Sequence, residues 1–362
     1  MTEPSASIRV GAFKCFSINY HAPPDLTIMH HRIHFGSEHG FDAAVDEPLL
    51  IAGLKAGYAL PYDCGTGTCG TCHTSIREGT VIDPWPNAPG LSFGKRAKNG
   101  VLLCQAVATS DCRLPDALSK KREEFLPPVR SFEGKANATN ETDDVARISV
   151  ALDKPITFLP GQYALFKLPG VAGYRAYSMA NSATTQTSLL HFYIRRVGGG
   201  SASPILTSAI DLPVQLVAPL GNAFLDSGSK RNLLCVAGGT GLAPLLSIAT
   251  GALELGMLRE QRVDLFIGVR TPSDIFANAV LQRLVVASAG AVQVNWCISG
   301  DGQFADWKGK RGMVHEVVAR VIEDLPERQV YMGGPQPMID AMLRMLLKSR
   351  VKRSQIRFDK FS

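Results

Sequence analysis

The stretch Leu60-Pro61-Tyr62-Asp63-Cys64-Gly65-Thr66-Gly67-Thr68-Cys69-Gly70-Thr71-Cys72, with Cys104 following in Val101-Leu102-Leu103-Cys104-Gln105, decides how the first third of the chain folds. Three cysteines spaced C-x4-C-x2-C and a distant fourth form the plant-type [2Fe–2S] pattern. Two irons need four thiolates, and one loop can supply three of them. Gly65, Gly67 and Gly70 let such a loop turn tightly and aim backbone N–H groups at sulfur. The fourth thiolate, from Cys104, then arrives from the far side. A zinc site is the alternative, but structural zinc sites pair cysteines as two short knuckles, and here the second half has Cys104 alone. Cys15, Cys112, Cys235 and Cys297 read as ordinary thiols, Cys235 as filler of an apolar strand.

Outward from the loop, extended runs near 28–35 and 41–45 precede a helical stretch at 47–58. A strand at 73–77 follows the loop, and two more flank Cys104. This is a small α+β domain over 28–118, and it resembles the β-grasp ferredoxins. Residues 1–27 form an extension to which the sequence assigns no role. The charged, proline-bearing run from Ser119 to Pro128 reads as a linker. Residues 129–228 carry short strands with Gly and Pro turns, the pattern of an antiparallel β-barrel. Over 229–362, apolar strands (233–237, 263–269, 292–298) alternate with helical patterns (244–256, 275–287, 314–322). That alternation predicts an α/β domain with a parallel sheet. The expected architecture is therefore multidomain, in three parts.

The middle part holds Tyr174-Arg175-Ala176-Tyr177-Ser178-Met179-Ala180-Asn181. Leu159-Pro160-Gly161-Gln162-Tyr163 precedes it. Phe192-Tyr193-Ile194-Arg195-Arg196-Val197-Gly198-Gly199-Gly200-Ser201-Ala202-Ser203 and Ala218-Pro219-Leu220-Gly221 follow. These items in this order resemble the ferredoxin–NADP reductase superfamily, whose R-x-Y-S motif holds a flavin. The resemblance gives Arg175 the flavin phosphate, packs Tyr177 on the isoalloxazine and sets the Ser178 hydroxyl near N5. Tyr163 and Ile194 join that site. An arginine fork suits phosphate, and a hydroxyl near N5 can tune the flavin's electronics. The glycine turn ending at Gly200, with Ser203, is a plausible cradle for the pyrophosphate, or a plain hairpin. Hydride transfer needs no protein acid or base, so Tyr177 and Ser178 act at the reacting ring by positioning.

The last part opens with Leu233-Leu234-Cys235-Val236-Ala237-Gly238-Gly239-Thr240-Gly241-Leu242-Ala243-Pro244: an apolar strand, a glycine turn and a helix opening with proline. Amides and a helix N-terminus facing an anion suit a dinucleotide pyrophosphate. It is not the Rossmann G-x-G-x-x-G, since Pro244 replaces the last glycine, but it is similar to the superfamily's G-G-T-G-x-A-P. Gly268 to Phe276, with Arg270 and Asp274, resembles the family's stretch beside the adenosine ribose. Gly333-Gly334-Pro335-Gln336-Pro337-Met338 resembles its C-G-P-x-P-M turn near the nicotinamide, which adds Gly334, Pro335 and Met338 to the site. Gly333 departs from that motif, where cysteine is usual, and this bears on hydride delivery. Phe361 resembles the terminal aromatic that covers the flavin ring until nicotinamide displaces it.

Domain order makes the chain similar to reductase components of multicomponent bacterial oxygenases. Three cofactors follow from the resemblance: a [2Fe–2S] cluster, FAD and NADH. It also implies an oxygenase or hydroxylase partner, reached directly or through a separate ferredoxin, in aromatic hydrocarbon catabolism. Asp306-Trp307-Lys308-Gly309-Lys310-Arg311-Gly312 is similar to a segment of xylene monooxygenase-type components. Two alternatives remain: a reductase serving a demethylase or desaturase, and a ferredoxin-like binding or sensor protein, towards which only Gly333 points.

Composition fits this reading. At 362 residues, 45% hydrophobic and 19% charged, the chain suits two or three globular domains. No apolar run is long enough to span a bilayer, and the first residues lack a basic region followed by an apolar core, so a cytoplasmic location is expected. Eight cysteines in such a compartment argue for metal or redox chemistry over disulfides. The formal charge of +6 is mild. The basic cluster Arg344, Lys348, Arg350, Lys352, Arg353 and Arg357 lacks interleaved aromatics, so it reads as a solvated helix face and not a nucleic-acid site.

Overall fold

The computed structural model describes residues 29–36, 38–96, 99–302, 304 and 306–361; the extension 1–27, with Cys15, lies outside the described residues. Three layered units follow one another along the chain.

In the first, the strand His30–Phe35 pairs antiparallel with His39–Ala44 and parallel with Cys112–Leu114. Two short ribbons, His73–Ser75 with Gly100–Leu102 and Val81–Ile82 with Val107–Ala108, complete the unit. The helix Leu49–Lys55 buries every residue but the last, because Leu-Leu-Ile-Ala-Gly-Leu is apolar all round. Its first N–H groups have no partner inside the helix. Leu49 N–H donates to the Ala106 carbonyl at 2.9 Å and Leu50 N–H to Leu103 at 2.8 Å, which fixes the segment carrying Cys104. The helix is shorter at both ends than the sequence pattern predicts.

The linker is pinned back on this unit. Ala59 N–H donates to Lys120, Arg122 N–H donates to Gly57, and the Lys121 ammonium lies over the Tyr58 ring.

The second unit is a curled six-stranded antiparallel sheet. Its order is Arg175–Ser178, Tyr163–Lys167, Leu212–Leu220, Arg130–Asn140, Val145–Phe158, Ala183–Arg195. Phe132, Phe158, Phe166 and Phe192 fill the inside of the curl. Among the described residues its two edge strands, Arg175–Ser178 and Ala183–Arg195, do not pair as strands, and Ala180 N–H, just past the first, donates to His191 C=O of the second at 2.7 Å, so the sheet curls into a half-barrel in place of the full antiparallel barrel that the sequence pattern predicts.

In the third unit six strands are all parallel: Lys310–Arg311, Val292–Ile298, Val263–Val269, Leu233–Gly238, Gln329–Pro335, Ile356–Phe361. The chain enters mid-sheet at Leu233–Gly238, builds outward, then returns to the other side. The order therefore reverses between Leu233–Gly238 and Gln329–Pro335, the switch point where such sheets bind ligands. Successive strand residues alternate faces. Cys235 and Ala237 pack with the helices Leu242–Glu254 and Asn278–Ala287, while Leu234 and Val236 pack with Val314–Val321 and Gln336–Lys348. No helix among the described residues is long and apolar enough to cross a membrane.

Candidate functional site

The cysteine loop is held by its own backbone. Gly90 N–H donates to Gly67 C=O, His73 N–H to Gly70 C=O and Leu103 N–H to Cys72 C=O. Gly70 has φ +78°, and a Cβ there would sit 2.5 Å from the Gly90 carbonyl oxygen, so glycine is required. The four sulfurs fall into two pairs. Cys72 Sγ and Cys104 Sγ, both buried, are 3.3 Å apart. Cys64 and the exposed Cys69 form the second pair, also hydrogen-bonded sulfur to sulfur. Within each pair the sulfur–sulfur hydrogen bond pushes Cys64 and Cys72 below the ordinary thiol value and Cys69 and Cys104 above it. Thr66 N–H approaches Cys64 Sγ at 3.4 Å, and the Gln105 amide approaches Cys104 Sγ at 3.6 Å. Among the described residues no three His, Cys, Asp or Glu side chains close on a single-ion position. The donor chemistry is that of two soft pairs, which fits two irons and not one tetrahedral zinc. Cys112, Cys235 and Cys297 are buried, and burial pushes each thiol up.

The loop abuts the antiparallel sheet. Tyr163 Oη donates to the Asp63 carbonyl at 2.5 Å, Gly221 N–H donates to Tyr62 Oη at 3.1 Å, and Leu165 packs under Gly65. Tyr163 stands directly opposite Ser178 in the strand pairing, so both side chains share a face. Ser178 is buried, and Tyr177 meets Phe166 edge-on at 5.4 Å. Arg175 donates to Ser201 Oγ at 3.0 Å, which brings its guanidinium to the glycine turn. Ser203 Oγ accepts from Val197 N–H at 3.0 Å and closes that turn around Gly200. Ile194 packs its side chain in the core of the curl.

On the parallel sheet, the glycine turn Gly238–Gly241 and the turn at Gly333–Gly334 pack backbone to backbone. A Cβ on Gly333 would lie 2.6 Å from the Gly241 carbonyl oxygen, and one on Gly238 would lie 2.7 Å from Met338 Sδ and 2.9 Å from Pro335. Gly238, Thr240, Gly241, Gly334, Pro335 and Met338 thus come together at the switch point. The α-helix starts at Leu242 after a 3-10 turn over Gly239–Gly241, so Pro244 sits third in the helix and not first. It still falls among the residues whose N–H has no helical partner. Asp274 is engaged locally: Oδ2 accepts from Thr271 N–H at 2.8 Å, and Oδ1 pairs with Arg195 at 3.8 Å. Arg270 is exposed at the end of its strand. Phe361 lies beside Pro335 in the last strand pairing.

Three residues at these sites carry no sequence signal. Ser247, fully buried, donates to Asn181 C=O at 2.7 Å and accepts from Gly161 N–H at 3.2 Å, which staples the helix Leu242–Glu254 to the segment that follows the strand Arg175–Ser178. Ser201 is named only by its contact with Arg175. Asp359, across from Gly333 in the sheet, has a buried Oδ2 with no hydrogen-bond partner among the described residues. Burial, then the charge of Asp63, push its carboxyl up to about 7. An orphaned buried oxygen between the cysteine loop and the glycine turns suits a space that a bound group completes.

Residues 33–109 match the 2Fe-2S iron-sulfur cluster binding domain family, and residues 235–344 match the oxidoreductase NAD-binding domain family. The ferredoxin–NAD(P)(+) reductase CarAd of Metapseudomonas resinovorans is 38% identical over 86% of this chain and 94% of its own length. The ferredoxin–NAD(+) reductase component of the alkene monooxygenase system of Xanthobacter autotrophicus is 34% identical over 89% and 97%. Among solved structures, the Amycolatopsis cytochrome P450 reductase GcoB superposes with a TM-score of 0.78 at 26% identity, covering 91% of this chain and 98% of its own. The ferredoxin reductase in carbazole 1,9a-dioxygenase superposes with a TM-score of 0.80 at 34% identity, covering 92% and 99%. The chain belongs to the ferredoxin–NAD(P)+ reductases that join a 2Fe-2S domain to an oxidoreductase NAD-binding domain.

Proposed function

We propose that the chain takes electrons from NADH as hydride and delivers them singly to an oxygenase or hydroxylase partner, directly or through a separate ferredoxin, in the cytoplasm. One observation carries this reading: the paired-thiol loop lies directly on the strand pair that presents Arg175, Tyr177 and Ser178. The limits are 28–118 for a β-grasp ferredoxin domain, 119–128 for the linker, 129–228 for an FAD-binding barrel and 229–362 for the nicotinamide domain.

When bound, FAD accepts an electron pair and passes electrons on one at a time, and a plant-type cluster carries one. The chain's own residues act by placement. Cys64 with Cys69, and Cys72 with Cys104, would each supply one iron with two thiolates. Arg175 would hold phosphate with a fork of donors, beside the turn of Gly200 and Ser203. Tyr177 would pack on the ring, with Ser178, Tyr163 and the Ile194 strand framing its edge. Gly238, Gly239, Thr240 and Gly241 would take the nicotinamide pyrophosphate at the N-terminus of the helix Leu242–Glu254, whose third residue is Pro244. Gly334, Pro335 and Met338 would border the nicotinamide, and Phe361 would cover the flavin until nicotinamide enters. Arg270 would face the adenosine ribose. Asp274 would brace that loop through Thr271 and Arg195.

The test is an anaerobic visible spectrum before and after NADH is added. Flavin and iron–sulfur bands that bleach promptly are the expected outcome; bands that persist would mean that hydride delivery fails. A second reading, a cytochrome P450-type acceptor, is favoured by the likeness to GcoB. Titrating candidate acceptors into the reduced protein separates the two.

A further inference from the structure

We propose that Tyr163 is the bridge over which electrons cross from the flavin site to the iron–sulfur loop. This rests on the cofactor assignment above and names the path within it. Tyr163 is buried between the two sites and belongs to the hydrophobic cluster that contains the loop's buried cysteines. Its strand position faces Ser178, and its hydroxyl donates to the Asp63 carbonyl at 2.5 Å. That carbonyl carbon is bonded to the backbone nitrogen of Cys64. From the phenol to Cys64 Sγ, therefore, every link but one is a covalent bond, and the exception is a hydrogen bond.

Electron tunnelling decays less steeply along bonded and hydrogen-bonded atoms than across a van der Waals gap. The surroundings reinforce the route: Leu165, Val217 and Leu220 exclude water on the sheet side, so little solvent must reorganise when charge passes. The neighbouring polar contacts serve a different end. Gly221 N–H to Tyr62 Oη and the Asn222 amide to Tyr62 C=O fasten the loop one residue further from Cys64, and they start from the strand end at Leu220, not from the strand facing Ser178. Tyr62 docks the loop and Tyr163 conducts.

The electron count closes. With FAD and the cluster bound, NADH would supply two electrons as hydride, and each passage over Tyr163 would carry one of them to the cluster and on to the acceptor. Two passages would return the flavin to its oxidised form and release its proton to solvent.

The experiment compares Tyr163→Phe with Tyr62→Phe by stopped-flow absorption. Each variant removes one phenol hydroxyl from the same interface and leaves a ring of the same shape, so the fold survives in both. The readout is the ratio of the cluster-reduction rate to the flavin-reduction rate, with both midpoint potentials measured by titration. Tyr163→Phe is expected to lower the ratio several-fold with potentials too little changed to explain it, while Tyr62→Phe leaves the ratio at the wild-type value. A wild-type ratio in Tyr163→Phe, or an equal fall in both variants, overturns the proposal. Wild-type protein without flavin or iron–sulfur bands would instead overturn the cofactor assignment, and that is visible before any rate is taken.

Discussion

Asp359 sits where three units meet. Its carboxyl is felt by Tyr62 and by Tyr163, and it faces Asp63 across the junction. A lone carboxylate in such a place is costly, so the proton is retained: burial first, then Asp63, raise the group from 3.8 to about 7. An acid whose folded value lies above its unfolded one binds protons more tightly when folded. Its contribution to stability is complete below about pH 4 and is lost as pH rises through about 7. Asp359→Asn keeps the shape and cannot ionise. The variant should therefore gain on the wild type between pH 5 and pH 8, by on the order of 2–4 kcal/mol at the upper end. Thermal melts of the two proteins across that range check this, and a constant offset would show that Asp359 does not titrate there.

At the scale of elements, the two glycine turns of the parallel sheet act as one part. Gly333 lies on the strand Gln329–Pro335, beside Ala237, and its missing side chain lets the carbonyl of Gly241 approach. Gly333→Cys, which restores the residue usual in the family's motif, would place Cβ 2.6 Å from that oxygen, and the turns must separate. The KM for NADH should rise several-fold while flavin content stays at the wild-type level, as read by steady-state reduction of ferricyanide and by absorbance. An unchanged KM would mean that the backbone yields at no cost. This is also where sequence reading stops. The strands 263–269 and 292–298 are placed to the residue, because short apolar runs bounded by turns leave little choice. The helix expected from 275 instead begins at Asn278, since Ala277 takes a left-handed φ of 58° that no pattern announces. The cysteine spacing was legible because its ligands are close in the chain. The reason for glycine at 333 was not, because the group that demands it is a backbone oxygen brought in by the fold. Ser201, Ser247 and Asp359 stayed hidden for the same reason.

Across the whole molecule, the antiparallel sheet is the frame on which the other two units are built. Tyr163, Leu165, Val217 and Leu220 belong to the same hydrophobic cluster as Phe35, Leu50, Cys72 and Cys104, so the outer face of the sheet forms part of the ferredoxin-like core. On its other flank Val145, Ala180, Tyr193 and Leu225 join the core beneath the helix Leu242–Glu254. Shared cores couple unfolding, and here they also hold the cysteine loop and the strand Arg175–Ser178 at a fixed separation. Leu165 tests this directly, being fully buried on the sheet yet in contact with Gly65 of the loop. Leu165→Ala removes buried methyl groups and leaves a cavity, at a cost of about 2–5 kcal/mol. If the cores are shared, the urea midpoints read at the iron–sulfur band and at flavin fluorescence should fall together. Two separate transitions, with only the flavin signal displaced, would mean that the ferredoxin-like unit folds alone and that its contact with the sheet contributes little to its stability.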